Sequence, residues 1–347
     1  MSEDSTAPST RSARGGMRAT MRDVAKRAGV GLSTVSRVVN GDGSVSPKRT
    51  QAVEAAIVEL GFRRNDFARH LRMGAAASIG LLIESVADPF FSLLTQAVEE
   101  VVLGRDSLLL SASSHQDAAR AKKLVLAFSS RRVDGLIITP SDPQDVSYLR
   151  TELAAGVQMV FVDRPVHGID ADTVLTDNLG GARTGVEHLI AHGHQRIGFF
   201  SDRASLYTTV NRRAGYTLAL EHAGLPVDPE LVHSSEDGRY DFTESLTAML
   251  AIPNPPTALF CSNNRSTVEI LRELAKLPQR PALVGFDDFE LADAMTPGVT
   301  VVAQDALAMG RTAAELLFAR LDGATGPTQT ISLGTTLIPR GSGETHP

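Results

Sequence analysis

From Ile79 onward, short apolar runs alternate with amphipathic stretches, and this alternation is the strongest constraint on what the chain can fold into. The runs are Ile79–Ile83, Leu108–Leu110, Gly135–Thr139, Met159–Val162, Ile197–Phe200, Ala258–Cys261 and Ala282–Phe286. Helical candidates lie between them, at 90–103, 117–130, 180–191, 211–223, 264–275 and 306–321. Apolar strands alternating with helices predict a parallel sheet covered on both faces. About 260 residues of this pattern is large for one sheet, so two similar lobes are expected. In open sheets of this kind, ligands bind beyond the C-terminal strand ends.

The preceding residues follow a different pattern. Residues 1–78 hold 13 basic and 7 acidic side chains, whereas the remainder holds 21 of the 34 basic and 33 of the 40 acidic ones. A basic head on an acidic body suggests that the head alone meets a polyanion. Residues 1–18 carry almost nothing apolar and read as a disordered tail. Thr20 and Asp23 have capping-box spacing, Val24, Ala25 and Ala28 form an apolar stripe, and Gly29 stops the first helix. A second helix spans about Leu32 to Val39. A third starts from Ser46 as N-cap with Pro47 at its first position, and ends at Gly61. Helix, glycine turn and helix over 23–40 have helix-turn-helix spacing. The N-terminal half of the second helix offers Leu32, Ser33, Ser36 and Arg37, at the end that meets base edges in such motifs.

These residues carry a resemblance. Asp23-Val-Ala, Ala28-Gly29-Val30, Thr34-Val35-Ser36-Arg37-Val38, Asn40-Gly41, Val45-Ser46, Gly61-Phe62, Asn65 and Ala68-Arg69-x-Leu71 resemble the lactose/galactose-repressor (LacI–GalR) family, and the similarity continues to about Arg340. The resemblance implies a sequence-specific transcription regulator, most simply a repressor. It would bind double-stranded, near-palindromic operator DNA as a homodimer under the control of a small effector. A sugar is the expected effector, and a nucleoside or purine the alternative. In this reading Leu32 and Ser33 read bases and Arg37 reads a further base. Thr34, Ser36 and Asn40 touch or support the phosphate backbone. Residues 65–72 form a hinge helix that contributes Arg69, with Leu71 as a minor-groove wedge. Gly31 stands where a serine is common in the family.

The implied organisation is an all-α helix-turn-helix head over 19–64, a hinge and linker over 65–78, and an α/β two-lobed periplasmic-binding-protein-like core over 79–340. A tail over 341–347 follows. The lobes are expected at about 79–162 with 290–320 and 163–289 with 323–340, joined by three crossovers. Positions matching the family's effector contacts are Phe90, Phe91, Asp163, Arg212, Asn263 and Asp287. Carboxylates, an amide and a guanidinium fork suit hydroxyl groups, and an aromatic ring suits the apolar face of a sugar. The family's usual Asn-Asp pair is Asn263-Asn264 here.

Other readings are weaker. His188, His192 and His194 have spacing suggestive of a metal site, but Gly193 ends their helix and the segment resembles an ordinary turn. No metal or cofactor is expected. Gly-x-Ser-x-Gly, Walker and Gly-x-Gly-x-x-Gly signatures are absent, so no catalytic residues and no enzyme are predicted. No apolar run approaches the roughly 18 residues of a membrane span, and the N-terminus has no apolar signal region. The expected location is the cytoplasm, on the nucleoid. A solute-binding protein would share the lobes but would lack the head.

Overall fold

The computed structural model describes residues 19–39, 42–62, 77–141, 145–235 and 240–347. The chain divides into two compact units between Ala75 and Ala76. The expected disordered tail and hinge helix lie outside the described residues.

The head contains helices α1 (Met21–Ala28), α2 (Leu32–Val39) and α3 (Pro47–Leu60). Local chemistry sets their ends. Thr20 and Asp23 form a reciprocal capping box, with Asp23 N donating to Thr20 Oγ1 at 3.3 Å and Thr20 N to the Asp23 carboxylate at 2.8 Å. Gly29 and Gly61 end α1 and α3 in the left-handed conformation, at φ 66° and 58°. Ser46 precedes α3 in an extended conformation, but its side chain makes no capping hydrogen bond. Val24, Ala25, Val35, Val53 and Ala56 form the buried core of this unit.

The second unit holds two six-stranded sheets. The first runs in the order β11 (Thr330–Leu333), β5 (Asp172–Thr176), β4 (Gln158–Val162), β3 (Gly135–Ile138), β1 (Ser78–Ile83) and β2 (Leu108–Ser113), with every pair parallel. The second runs β12 (Thr335–Ile338), β10 (Thr300–Gln304), β9 (Ala282–Phe286), β8 (Ala258–Cys261), β6 (Ile197–Ser201) and β7 (Val232–Ser234). Only β12 is antiparallel to its neighbour. The helices are α4 (Pro89–Gly104), α5 (Ala118–Ser130), α6 (Ser147–Ala154), α7 (Asn178–Ala191), α8 (Tyr207–His222), α9 (Thr243–Ala251), α10 (Asn264–Leu274) and α11 (Ala306–Leu321). Apolar clusters lie on both faces of each sheet, as strands buried on two sides require.

The chain changes lobe three times: after β5, after β10, and at Gly334 between β11 and β12. The lobe boundaries therefore differ from those expected from sequence. Residues 172–176 belong to the first sheet, although the sequence reading placed 163–289 in the second lobe. Residues 300–304 and 330–333 likewise exchange sheets. The reason is compositional. Asp-Thr-Val-Leu-Thr of β5 has two apolar residues, yet all five positions are buried. Its Asp172 is neutralised by Arg320, whose Nε and Nη2 reach the two carboxylate oxygens at 2.7 and 2.9 Å. Helices α6 and α9, absent from the sequence reading, are short and weakly patterned.

The last seven residues, expected as a tail, pack against the second lobe. Ser342 is buried and donates its hydroxyl to the Leu283 carbonyl at 2.6 Å, and Leu283 N donates to the Ser342 carbonyl at 2.8 Å. Glu344 accepts from Thr300 Oγ1 at 2.9 Å and meets His188 Nε2 at 2.5 Å. His194 bridges Thr257 Oγ1 and the Thr345 carbonyl, and His192 Nδ1 bonds the His188 carbonyl. The His188 and His194 imidazoles thus tie helix α7 and its following turn to the C-terminal segment, and His346 Nδ1 meets the His192 carbonyl at 3.0 Å. Among the described residues no helix is long and apolar enough to cross a membrane.

Candidate functional site

In the head, Val35 is fully buried and fixes the rotation of α2. The same rotation leaves Leu32 at 46% exposure and Ser33 and Arg37 exposed, with Thr34 and Ser36 half-buried beside them. An exposed leucine at a helix start is costly to leave in water and suits an apolar contact such as a thymine methyl. Arg37 stands 4.0 Å from Asp42, an exposed pair too weak to hold it away from another acceptor. The first N–H groups of α2 lack helical acceptors, as at every helix start, and suit a phosphate. Asn40, Arg69 and Leu71 lie outside the described residues.

In the second unit, a cleft opens between the lobes at the C-terminal ends of the strands. It encloses about 380 Å³ of empty space, including open solvent at its mouth. All six expected effector residues line it: Phe90, Phe91, Asp163, Arg212, Asn263 and Asp287. Phe90 and Phe91 stand in the first turn of α4, with ring centroids 5.0 Å apart at a T-shaped angle. Asp163 and Asp287 occupy equivalent places in the two lobes. Each follows a strand, is buried, and holds the left-handed conformation at φ 68° and 70°. Each also donates its N–H to the neighbouring strand, Asp163 to Val174 and Asp287 to Val302. Such backbone strain in a residue with a Cβ persists where the surroundings impose it, characteristically at binding sites.

Arg212 is held on several sides. Its Nε donates to Asn178 Oδ1 at 2.7 Å, and its Nη1 donates to the Ser262 carbonyl at 2.6 Å and to Asp287 at 3.4 Å. Its guanidinium lies 3.8 Å from the Phe286 ring centroid. Asn263 is only partly available, because its Oδ1 caps α10 by accepting from Ser266 N at 2.8 Å. The doublet Asp287-Asp288 is divided as adjacent strand-end residues require: Asp287 faces the cleft, whereas Asp288 takes a bidentate pair from Arg340 at 2.6 and 2.7 Å.

Several cleft residues escaped the sequence reading: Glu84, Asp88, Arg164, Asp202, Thr208, Tyr240 and Gln304. Glu84 directly follows one predicted strand and Asp202 follows another after one intervening residue, so the strand-end rule could have found them. Tyr240 carried no such signal. Arg164 donates to Glu84 at 2.6 Å and lies 3.1 Å from Asp163. Burial opposes the Arg164 charge, but those two carboxylates more than offset it and hold the side chain protonated. Burial also raises the Asp163 carboxyl, against the pull of Arg164 and Arg212. Asp88 is pushed up to about 6, first by burial and then by the charges of Asp287 and Glu84, against hydrogen bonds from Asn264 and Phe90 N. Gln116, itself at φ 58°, donates to Glu84 and Asp202 at 2.8 Å each, so one amide spans both lobes.

Comparison with known proteins agrees with this geometry. Residues 20–65 match the description of bacterial regulatory proteins of the lacI family, and residues 186–343 match a periplasmic binding protein-like domain. The ribose operon repressor of Escherichia coli K12 is 32% identical, over 93% of this chain and 99% of that protein. The chain belongs to the lacI family. This LacI-family member is therefore a DNA-binding transcription regulator controlled by a small ligand. The PurR transcriptional repressor of Erwinia tasmaniensis is 30% identical, over 93% of this chain and 96% of that protein. Among solved structures, the lac repressor dimer bound to operator and the anti-inducer ONPF matches with a TM-score of 0.80 at 26% identity, covering 94% of this chain and 99% of that one.

Proposed function

We propose that this LacI-family regulator is a repressor that binds a near-palindromic operator as a homodimer in the cytoplasm, with a sugar in the inter-lobe cleft altering its operator affinity. The observation that carries the reading is the cleft itself. Two strained aspartates, a buried arginine and two aromatic rings converge at the strand ends of a chain whose head exposes Leu32, Ser33 and Arg37. Leu32, Ser33 and Arg37 take the base contacts, and Thr34, Ser36, Asn40, Arg69 and Leu71 take backbone and minor-groove contacts. Exposed Leu93 and Leu103 on α4, Leu108 on edge strand β2 and Leu307 on α11 support an apolar dimer face on the first lobe. Two-fold protein symmetry then calls for two-fold operator symmetry.

Ligand control follows from contacts that bridge the lobes. Asp88 with Asn264, Gln116 with Asp202, and Thr176 with Gln304 all join one lobe to the other. A ligand that binds one lobe arrangement better than the other shifts the balance, and operator DNA must change ligand affinity by the same factor. The test is a gel shift with DNA from upstream of the regulator's own gene, with and without sugars and nucleosides. A sequence-specific shift that a sugar alters is expected. Binding indifferent to DNA sequence would overturn the reading.

A further inference from the structure

The polar groups of the cleft are unbalanced in favour of acceptors. Glu84, Asp88, Asp163, Asp202 and Asp287 line it with five carboxylates, against the two guanidinium groups of Arg164 and Arg212. An ionised carboxylate accepts hydrogen bonds and donates none. The donors present are mostly engaged already. Arg164 is held by Glu84, Asp163 and the Pro140 carbonyl. Arg212 uses Nε and Nη1 on Asn178, Ser262 and Asp287, which leaves Nη2. Gln116, Gln304 and Tyr240 all donate to carboxylates of the cleft: Glu84 and Asp202, Asp287, and Asp202.

Two of the three helix starts beside the cleft are matched as well. Helix starts bind anions through their free N–H groups. At α4 the Asp88 carboxylate accepts from Phe90 N, and at α10 the Asn263 amide oxygen accepts from Ser266 N. Helix α8 opens without a side-chain cap and is the exception among the three.

We propose that the effector is a hydroxyl-rich compound bearing no phosphate or carboxylate, and that replacing one of its hydroxyls by a protonated amine strengthens binding. The proposal rests on the reading of this cleft as the effector site. An ammonium brings three donors and no acceptor, which suits a lining of carboxylates, whereas a phosphate brings a charge of the same sign and more acceptors. Nη2 of Arg212 can still donate to one hydroxyl oxygen.

The test is calorimetric titration of the full-length protein with matched series. Common aldoses, ketoses and disaccharides are each compared with their amino, phosphorylated and uronic-acid counterparts. Titrating to about 10 mM registers a Kd of about 1 mM. A neutral or amino compound is expected to bind, with the amino form about tenfold tighter and each anionic counterpart at least about tenfold weaker than its neutral parent. An anionic compound that matches or exceeds its neutral parent overturns the proposal, as does a panel in which no neutral or amino compound binds. D202N, checked for an unchanged melting temperature, should narrow the gap between neutral and phosphorylated forms, and an unchanged gap counts against the electrostatic cause. A parallel gel shift separates the two levels. An anionic compound that alters operator binding sinks this proposal and leaves the regulator reading standing, whereas loss of sequence-specific DNA binding sinks the regulator reading itself.

Discussion

Asn264 donates a 2.9 Å hydrogen bond from Nδ2 to Oδ1 of Asp88, joining the first turn of α10 in one lobe to the N-cap of α4 in the other. Asp88 is also the carboxyl pushed up to about 6, chiefly by burial. A carboxyl raised in the native state binds protons there that the unfolded chain has already lost. Between about pH 4 and 6 stability from this group therefore falls as pH rises, and above pH 6 the full penalty remains. D88N keeps a capping oxygen and an acceptor for Asn264 without the charge. It should be more stable than the parent at pH 7.5, by about 1–2 kcal/mol after allowing for partial exposure, and should show no advantage at pH 4. Urea unfolding at both pH values checks this. An advantage equal at both values would show that charge is not the cause.

R37A removes an exposed guanidinium whose intramolecular partner, Asp42, stands 4.0 Å away. The melting temperature should stay within error of the parent. Operator affinity should fall by about 1–3 kcal/mol, as for loss of one base contact. L32A should weaken binding mainly at one base position, visible when a set of operator variants is compared by gel shift. Wild-type affinity for R37A would remove Arg37 from the interface.

Arg212 is buried, and R212A would leave buried Asp287 without its cation and Asn178 Oδ1 and the Ser262 carbonyl without a donor. Breaking one side of a buried pair costs about 3–5 kcal/mol. R212K should recover part of the stability but not the effector response, because an ammonium cannot reproduce the fork. Denaturant melts and effector-dependent gel shifts on both variants separate the two effects. A full effector response from R212K would remove the guanidinium fork from effector recognition.

A chain ending at Arg340 loses the Ser342 and Glu344 contacts and exposes the ends of β9 and β10. About 2–4 kcal/mol of stability should go with them. The same segment makes the parent acid-sensitive. Burial would raise Glu344, but bonds from His188, Thr300 and Gly341 N hold it below the usual range, and burial lowers His194. A depressed native value means stability lost on acidification, starting near pH 6.5 for His194 and near 4.5 for Glu344. The truncated chain should be less stable at pH 8 and lose less on going to pH 5, in urea melts at both values. A parallel offset at the two pH values would contradict this.

Much of the site was legible because its signals are local. Asp163, Arg212 and Asp287 were expected from the family resemblance, and local features accompany them: the two aspartates follow apolar strands, in keeping with the strand-end rule, Arg212 lies in the second turn of α8, and all three line the cleft. Glu84 and Asp202 obey the same rule and were simply not drawn from it. Tyr240 was out of reach, since it enters the cleft from a loop and its role depends on where Asp202 stands. Asn263 lines the cleft while its oxygen caps α10, a local capping role that its place after a strand does not reveal.

By itself the sequence determined the head and the alternation of the body. Capping boxes, glycine stops and apolar periodicity act within a few residues, and their energies do not depend on the distant chain. Only the tertiary structure decided which lobe each of the last strands joins, and which side chains face one another across the cleft. Strand β11 pairs with β5 across more than a hundred residues, and Asp88 meets Asn264 across 176. Such contacts form because burial brings remote segments together, and a polar group then takes whatever partner the packing leaves in reach.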